Sequence, residues 1–447
     1  MRRIFIGLGL LALLPAGLLL AMLATGTIDG TSLKMILNVM TGMSGPPADG
    51  KAVKQRYSVP RGFSLELYEA DLPRARFLRV TPTGDLLVSR SHAGDIVLLR
   101  RDDNGDGKPD ARTTLLSDLR RPLGLDIHGD WLYVAESNRI IRVRYDSAAG
   151  TVSGEPQVLV NDLTDNGGHW SKTIRIGPDG KLYLAQGSPC NVWEEEDPRR
   201  ATIMRFDLHG SRGEIIATGL RNSVGFDWSP ADGAIYATDN GRDLLGDDTP
   251  PCELNRIEPG SFYGWPWFYG DNVPDPDMGP DPLAGKRQPT APAHGFRAHN
   301  APLGIAFLRS DSLPWEYRHS ALVALHGSWN RSSPDGYKVV SLHWTEDGIE
   351  ERDFLSGFLS DDTITGRPVD VAEGPDGTIY VSDDYAGAIY RVRYGAAAAT
   401  TAFTVPAMPQ SRLDETPPAW LAGADLPEMA DNGRALYEEH GCRSCHE

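Results

Sequence analysis

Short runs of alternating apolar and polar residues recur from Phe63 onward, and each run enters or leaves a turn centred on glycine. Apolar residues at every second position are typical of β-strands, and Asp-Gly between two such runs indicates a β-hairpin. The clearest turn-and-strand segments are residues 83–88, 128–134, 178–184, 231–236 and 375–381. Second strands follow at 140–145 and 388–394, without a long amphipathic helix between them. The pattern therefore predicts an all-β fold.

The spacing of these hairpins indicates a repeat. They return at intervals of about fifty residues, which is typical of four-stranded blades arranged around a central axis. Dividing residues 57–394 by six gives roughly 56 residues per blade, and residues 321–342 supply the fifth unit. We therefore expect a six-bladed β-propeller over residues 57–396. A pair of β-sandwiches would contain similar strands, but it would not repeat the same glycine and aromatic signature.

The N-terminus carries a strongly apolar segment. Residues 4–28 contain no charged side chain, and Arg2 and Arg3 precede them. About 20 apolar residues suffice to cross a bilayer as a helix, and flanking arginines stay on the cytoplasmic side. Residues 1–28 are therefore predicted to be a membrane anchor helix or a cleaved signal peptide, followed by a spacer at 29–56. Either alternative places the rest of the chain on the periplasmic side of the cytoplasmic membrane, anchored or secreted.

Charge and cysteine usage narrow the function classes. The formal net charge of -17 argues against a nucleic-acid partner, which requires a basic surface. Cys190 and Cys252 could form one disulfide in an oxidising compartment, with separate buried thiols as the alternative. Residues 397–427 are rich in Ala, Thr and Pro and are predicted to be a linker.

Residues 428–447 contain Cys442, Cys445 and His446 in the Cys-x-x-Cys-His spacing of a c-type haem attachment site. The two thiols would bind the porphyrin, and the imidazole would ligate the iron. A Cys-x-x-Cys pair can also be a redox dithiol or half of a zinc site, although the adjoining histidine favours haem. Because the preceding residues look like the first helix of a small cytochrome c, we expect a fragment of such a domain here.

Several polar segments are predicted to lie at the mouths of the blades, where axial pockets form. Each is weak evidence alone, since a single histidine or arginine is usually structural. Their convergence on one face of the propeller would be more informative. The segments are residues 166–170 with His169, 221–222, 239–242, 327–331 and 366–370.

Taken together and in order, these segments resemble the glucose/sorbosone dehydrogenase family over approximately residues 57–394. The resemblance also includes residues 176–183 and 301–304. It implies a six-bladed propeller that uses pyrroloquinoline quinone (PQQ) with calcium to oxidise an aldose or a related hydroxyl substrate.

The resemblance also implies roles for individual residues. His169 would be the general base that takes the hydroxyl proton, and an imidazole suits that task near neutral pH. Arg221 and Asn222 would contact the cofactor, with Arg221 stabilising negative charge on the quinone oxygen. Arg367 would bind a PQQ carboxylate. The backbone around Gly241 and Arg242 would hold calcium.

Two departures from the family pattern concern the cofactor contacts. Residues 329–331 stand where soluble glucose dehydrogenases have a lysine, so Arg331 or Lys338 would have to replace it. Val369 stands where a second arginine is expected near Arg367. Both departures place the chain nearer to the sorbosone branch.

A separate acidic segment resembles the start of a calcium loop. Asp102, Asn104, Asp106 and Asp110 offer oxygen ligands in the required spacing, but Thr113 occupies the position of the usual glutamate. The segment is predicted to bind structural calcium or to be only an acidic hairpin.

The leading functional hypothesis is a periplasmic quinoprotein sugar dehydrogenase that passes electrons to haem c and then to a downstream cytochrome or respiratory acceptor. A calcium-dependent lactonase or esterase is one alternative, for which Asp239 and Asp243 stand close together but no ring of acids is placed one per blade. A binding propeller without chemistry is the other, and it would leave the haem motif unexplained.

Overall fold

The computed structural model describes residue 45, residues 47–360 and residues 363–395. The first element among the described residues is helix α1 (Gly50–Arg56), whose first turn is capped by Asp49, and strand β1 (Phe63–Glu69) follows it. Val53 of the helix is buried against the propeller, although the sequence predicted a spacer there. The packed part of the chain therefore starts upstream of the predicted boundary.

The first three blades follow one another along the chain as antiparallel sheets. Blade 1 consists of β2 (Leu78–Val80), β3 (Leu86–Arg90), β4 (Asp95–Leu99) and β5 (Arg112–Leu116). Blade 2 consists of β6 (Leu125–His128), β7 (Trp131–Ala135), β8 (Ile140–Asp146) and β9 (Thr151–Val160). Blade 3 consists of β10 (Lys172–Ile176), β11 (Leu182–Gln186), β12 (Thr202–Phe206) and β13 (Glu214–Thr218).

Blade 4 contains a long excursion before its outermost strand. It consists of β14 (Ser223–Trp228), β15 (Ile235–Asp239), β16 (Cys252–Ile257) and, after the excursion, β20 (His294–Phe296). The excursion contains β17 (Ser261–Phe262), which joins the edge of blade 3 parallel to β13, and the hairpin of β18 (Phe268–Tyr269) and β19 (Val273–Pro274).

The last two blades complete the ring. Blade 5 consists of β21 (Pro302–Phe307), β22 (Ala321–Leu325), β23 (Lys338–Thr345) and β24 (Gly348–Leu355). A short hairpin follows, made of β25 (Leu359–Ser360) and β26 (Thr363–Ile364). Blade 6 consists of β27 (Pro368–Glu373), β28 (Ile379–Asp383), β29 (Ala388–Tyr394) and β1 as its outermost strand.

The pairing of β1 with β29 closes the propeller between the two ends of the described chain. The pairing is antiparallel and aligns Phe63 with Tyr394. The innermost strands contact one another in the circular order β2, β6, β10, β14, β21, β27 and back to β2. Blade 3 therefore lies across the axis from blade 6.

The core consists of one apolar cluster at each interface between neighbouring blades, and a further cluster on the axis. Because a blade is covered on both faces, an inner strand such as β22 is buried at every position. The axial cluster takes residues from five blades, namely Phe77, Leu123, Val224, Leu303 and Val369.

These observations confirm the predicted all-β, six-bladed propeller. Of the two alternatives for Cys190 and Cys252, the structure shows separate thiols rather than a disulfide, and Cys252 is buried in the core between blades 4 and 5. Burial raises the pKa of the Cys252 thiol to about 11.

Some predicted segments lie outside the described residues. They are the anchor at 1–28, the linker at 397–427 and the cytochrome c fragment at 428–447 with Cys442, Cys445 and His446. Among the residues that the structure does describe, none forms a helix long and apolar enough to cross a membrane.

Candidate active site

The polar segments singled out by the sequence all lie at one end of the propeller axis. In each blade the innermost strand begins where the second strand ends, because the two strands are antiparallel. The loops before the innermost strands and after the second strands therefore share one face, which we call the upper face. It carries residues 166–170, 221–222, 239–242, 327–331 and 366–370.

His169 lies just before β10 and is half-buried. Its Nδ1 atom is 2.8 Å from the carbonyl oxygen of Ser188 and 3.3 Å from the Ser188 hydroxyl. That hydroxyl donates to the carbonyl oxygen of Cys190 at 2.7 Å. Since a carbonyl only accepts, the geometry assigns the proton to Nδ1, and Nε2 is the basic nitrogen of the neutral ring. The tautomer suits a general base.

Arg200 binds the backbone of the loop that carries His169 and of the neighbouring loop at Gly187. Its side chain is buried and donates to four backbone carbonyls, at 2.5 Å in Gly187, 3.1 Å in Thr164, 3.4 Å in Asn166 and 3.2 Å in His169 itself. One guanidinium therefore joins the loop before β10 to the loop after β11. This role could not be predicted from the sequence, because Arg200 is one of two adjacent arginines in an irregular loop.

Lys172 is an unusual side chain for its position near the axis. Other blades place apolar residues such as Val224 and Val369 in the axial cluster, whereas Lys172 is completely buried at the start of β10. Its ammonium donates to the carbonyl oxygen of Trp170 at 2.9 Å. Burial lowers the pKa of Lys172 well below its ordinary value, and the charge of Arg200 acts in the same direction. Sequence analysis missed this residue, since a lysine in a strand is usually exposed.

Asn222 and His169 meet at the same glycine. A Cβ atom added to Gly187 would lie 2.4 Å from Asn222 Oδ1 and 2.9 Å from His169 Cβ. The Oδ1 atom of Asn222 is buried and has no hydrogen-bond partner among the described residues. The structure therefore brings two of the predicted site residues together beside Gly187, and the side-chain oxygen of one of them, Asn222, has no hydrogen-bond partner among the described residues.

Arg221 uses all five of its N–H groups within the protein. Its Nε donates to the Asn191 carbonyl at 2.8 Å, and Nη1 donates to the carbonyls of Asn240 and Gly241 at 3.1 and 2.9 Å. Its Nη2 donates to Asn191 Oδ1 at 2.9 Å and to Asp243 Oδ2 at 3.0 Å. Arg221 therefore holds together the loops at residues 191 and 240–243, which we call its wall-building role. A direct contact with a cofactor stays a prediction, and it would require Arg221 to exchange one of these bonds.

The predicted calcium ligands Gly241 and Arg242 follow β15. The Gly241 carbonyl accepts from Arg221, and the buried Arg242 side chain forms ion pairs with Asp275 at 2.8 Å and Asp277 at 2.7 Å. Backbone carbonyls are ligands that calcium accepts. Calcium at this segment stays a prediction.

The acidic segment near Asp102 lies away from the axis, between β4 and β5. Asp102 pairs with Arg391 at 2.9 Å, and Asn104 Oδ1 accepts the backbone N–H of Asp106 at 2.8 Å. Asp110 Oδ2 accepts a backbone N–H at 3.3 Å. Within residues 47–360 and 363–395, no three His, Cys, Asp or Glu side chains are grouped so that they could hold a metal. Structural calcium at this loop stays a prediction.

Arg331 and Lys338 are engaged with carboxylates. Arg331 is buried, donates to the backbone carbonyl of Asp247, and pairs with Asp248 at 3.0 Å. Lys338 pairs with Asp353 at 2.6 Å, across the two outer strands of blade 5. The Lys338 ion pair does not favour the cofactor contact that the sequence suggested for it, whereas a contact through Arg331 stays a prediction.

Arg367 lies in a cluster of arginines between blades 6 and 1. Its Nε donates to Asp384 at 2.8 Å, and Arg76 pairs with the same carboxylate at 2.7 Å. Arg74 is close enough to interact electrostatically with Asp384, Arg76 and Arg367, and its Nη2 is buried without a hydrogen-bond partner. Two guanidinium groups therefore contact Asp384, and that of Arg74 lies near enough to interact with it electrostatically.

His326 closes this arginine cluster on the side of blade 5. Its Nδ1 is 2.9 Å from the Pro368 carbonyl, and its Nε2 is 3.8 Å from Asp384. Burial lowers the pKa of His326 to about 3, and Arg367 acts in the same direction. The imidazole is therefore neutral and does not add to the positive charge of the arginines. The sequence did not predict His326, Arg74 or Arg76 as site residues.

The upper face has a further property that indicates a polar ligand. Several of its buried side-chain atoms have no hydrogen-bond partner among the described residues, which is rare in native interiors unless a ligand or water supplies one. They are the Oδ1 atoms of Asn222, Asn240, Asn300 and Asn330, the Nε atoms of Arg76 and Arg331, and Nη2 of Arg74.

Fold and site together define a six-bladed propeller with a polar, cation-rich axial site on its upper face. The chain belongs to the TrAA12-like family, whose model matches residues 57–261 and 283–395. An uncharacterised protein of Borreliella burgdorferi is 36% identical over 297 residues, which cover 63% of this chain and 78% of that protein. The "Pyrroloquinoline quinone-dependent sugar dehydrogenase" of Hypocrea jecorina is 25% identical over 319 residues, covering 60% of this chain and 72% of that protein.

Solved structures show the same fold. The calcium structure of the family AA12 enzyme of Trichoderma reesei superimposes with a TM-score of 0.66 at 23% identity, covering 76% of this chain and 97% of that one. The holo form of the pyranose dehydrogenase PQQ domain of Coprinopsis cinerea gives a TM-score of 0.64 at 23% identity, with the same two coverages.

Proposed function

We propose that this chain is a PQQ-dependent sugar dehydrogenase, an oxidoreductase that acts on a sugar CH–OH group. The observation that carries the proposal is the cluster of Arg74, Arg76 and Arg367 near Asp384, in which Arg74 Nη2 and Arg76 Nε are buried without a hydrogen-bond partner among the described residues. Guanidinium groups bind carboxylates through paired hydrogen bonds, so an excess of arginine suits a ligand with several carboxylates. PQQ is such a ligand, and relatives described as PQQ-dependent sugar dehydrogenases support the assignment.

The residues present fit this cofactor on both sides of the axis. The arginine cluster lies between blades 6 and 1, and His169 and Asn222 meet at Gly187 on the side of blades 3 and 4. Arg74, Arg76 and Arg367 would hold carboxylates of the cofactor, and the unsatisfied Asn222 amide would offer a polar contact. When bound, PQQ supplies the hydride acceptor that no amino-acid side chain provides.

The chain's own contribution to the reaction is proton removal and placement. Nε2 of His169 would accept the proton of the substrate hydroxyl, while Nδ1–H remains bonded to the Ser188 carbonyl and keeps the ring oriented. Arg200 fixes the backbone that carries both groups. We propose calcium at the main-chain carbonyls of Gly241 and Arg242, supported by the calcium structure of the Trichoderma reesei enzyme.

The proposal extends to the route of the electrons. A haem c attached through Cys442 and Cys445, with His446 on the iron, would receive them and pass them to a downstream cytochrome or respiratory acceptor. The apolar segment at 4–28 supports a location on the periplasmic side of the cytoplasmic membrane. A lactonase lacks a supporting observation, because Asp239 accepts the Asn222 backbone N–H and Asp243 pairs with Arg221.

The test is reconstitution of the full chain with PQQ and calcium, followed by turnover of a panel of aldoses with an artificial electron acceptor. We expect wild type to reduce the acceptor and His169→Ala to lose about two orders of magnitude or more in kcat, as general-base removal does. PQQ binding, followed by absorbance, should remain in this variant. His128→Ala, at an exposed histidine on β6, is the matched control and should keep full turnover.

Two results would contradict the proposal. Full turnover in His169→Ala would remove the assigned base, and absence of PQQ binding to wild type would remove the cofactor. Electron transfer is tested separately by the haem spectrum of the full chain, which aldose should reduce in wild type. Cys442→Ala should abolish that signal but leave turnover with the artificial acceptor intact.

A further inference from the structure

A second cavity lies at the opposite end of the propeller axis from the candidate active site. It has a volume of about 560 Å³ and is formed by the last residues of the innermost strands and the turns that follow them. The axial cluster, which includes Val224 and Leu303, fills the beginning of the innermost strands. The two sites therefore occupy different ends of the axis. The charged residues that line the cavity are Arg79, Asp126, Arg175, Asp227, Arg309 and Glu373.

The strand register shows that Arg175 occupies a position where neighbouring blades have a carboxylate. Asp126 of blade 2 is aligned with Tyr133, Arg175 of blade 3 with Tyr183, and Asp227 of blade 4 with Tyr236. The two aspartates accept a backbone N–H from the following blade, at 2.6 Å from Ile176 and 2.8 Å from Phe307. An arginine cannot accept such a bond, so Arg175 does not join its blade to the next one in this way.

Each carboxylate of the cavity already has protein partners. Asp126 pairs with Arg79 at 2.8 Å, and Asp227 pairs with Arg309 at 2.9 Å. Glu373 accepts two backbone N–H groups, from Arg309 at 2.7 Å and from Ser310 at 2.9 Å. Arg79 and Arg309 are likewise committed to their aspartates.

Arg175 differs from every other charged group in this cavity. It is only 8% exposed and lines the cavity, yet its side chain makes no hydrogen bond or ion pair with any residue in the described ranges. The carboxyl group that interacts with it electrostatically is Asp370, one of whose oxygens accepts the Leu78 backbone N–H at 2.8 Å. A buried guanidinium without acceptors is costly unless a ligand or water supplies them.

We propose that this cavity binds a small organic monocarboxylate, with the guanidinium of Arg175 as its donor. A planar fork of N–H groups matches a carboxylate, and one unpaired cation matches one negative charge. The volume lies within the range of small-molecule sites, and Trp228, Phe307 and Pro178 offer apolar walls for the body of the ligand. A phosphate dianion would face Asp126 and Asp227 with an extra charge, so a monoanion is favoured.

The proposal is tested on the full chain by calorimetric titration with gluconate, a six-carbon monocarboxylate. We expect binding to wild type, and an affinity at least about tenfold lower in Arg175→Gln, the loss expected for one charge-assisted pairing. Arg79→Gln is the matched control, because it removes a cavity cation that already has a partner, and it should retain affinity within about threefold. Excess glucose, which is neutral, should not displace gluconate.

Three outcomes would overturn the proposal. They are no gluconate binding to wild type, equal loss in Arg79→Gln and Arg175→Gln, or binding of inorganic phosphate in preference to gluconate. If Arg175→Gln does not fold, Arg175→Lys is used, which keeps the charge but not the fork and should still lose affinity. Quenching of Trp228 fluorescence by gluconate, absent in Trp228→Phe, is an independent measurement, and its absence in wild type would also contradict the site.

Discussion

Two arginine-containing regions of the upper face differ in how their donors are used. Next to blade 4, Arg221 directs every N–H at protein oxygens and pairs with Asp243. Between blades 6 and 1, Arg74, Arg76 and Arg367 share Asp384, and some of their N–H groups have no acceptor. Burial alone therefore does not mark a binding residue. The balance of donors and acceptors separates an arginine that builds the wall from arginines that are available to a ligand.

The largest expected effect is on the stability of the saturated region. Arg221→Met would remove the arginine partner of the buried Asp243 and the donor to several backbone carbonyls, so the free energy of unfolding should fall by about 3–5 kcal/mol. Urea denaturation at pH 7 measures it. Arg212→Met is the matched control, because Arg212 is highly exposed, and it should change stability by less than about 0.5 kcal/mol. A loss below about 1 kcal/mol in Arg221→Met would contradict the wall-building role.

The second effect concerns pH in the arginine-rich region. Burial alone would raise the pKa of Asp384, but the charges of Arg367 and Arg76 lower it well below its usual range. The folded-state pKa is thus below the unfolded value of about 3.9, so the ionised carboxylate stabilises the fold above that pH and the contribution is lost as pH falls. Asp384→Asn should lower stability at pH 7 and flatten the dependence between about pH 5 and 2. Denaturant titrations across this range measure it, and an unchanged slope would argue against the pairing.

The third effect should appear in cofactor affinity more than in stability. In Arg367→Met, Asp384 still has Arg76 as a partner, so the fold should survive while PQQ affinity falls by about tenfold to a hundredfold. Absorbance titration with PQQ and thermal unfolding of the cofactor-free chain separate the two quantities. Arg205→Met, on the third strand of blade 3, is the control. If the thermal loss in Arg367→Met equals that in Arg221→Met, the two regions do not differ as described.

The smallest effect is expected at Lys338. Because its ammonium pairs with Asp353 across the outer strands of blade 5, Lys338→Met should cost less than about 1 kcal/mol and leave PQQ affinity unchanged. The same titration checks this. A tenfold loss of affinity would restore the cofactor contact that the sequence suggested for this residue.

The sequence predicted the repeat well because each blade carries its own glycine turns and apolar strands, which are local features. It also predicted His169 and Asn222 as site residues, and the structure places both on the upper face because each stands shortly before an innermost strand. It missed Arg74 and Arg76, because only closure of the ring brings blade 1 against Arg367 of blade 6. The sequence analysis treated Val369 as the loss of a second arginine, whereas arginines from the other end of the chain occupy that region.

The remaining differences have the same physical origin. Whether Arg331 or Lys338 faces a ligand depends on which carboxylates the folded loops bring near, and no local pattern shows this. Lys172 occupies a strand whose neighbours would place valine or leucine near the axis, so its burial follows from the assembly of the blades. The Cys190–Cys252 alternatives were likewise decided by tertiary positions rather than by spacing.

The ion pair between Arg76 and Asp384 joins residues 308 positions apart, from the first and the last blade. During synthesis from the N-terminus, this region cannot assemble until the final blade has been made. Any ligand that prefers the closed ring over the open one adds to the stability of that closure by mass action. Cofactor supply would then influence how long the chain survives proteolysis, in addition to whether it is active.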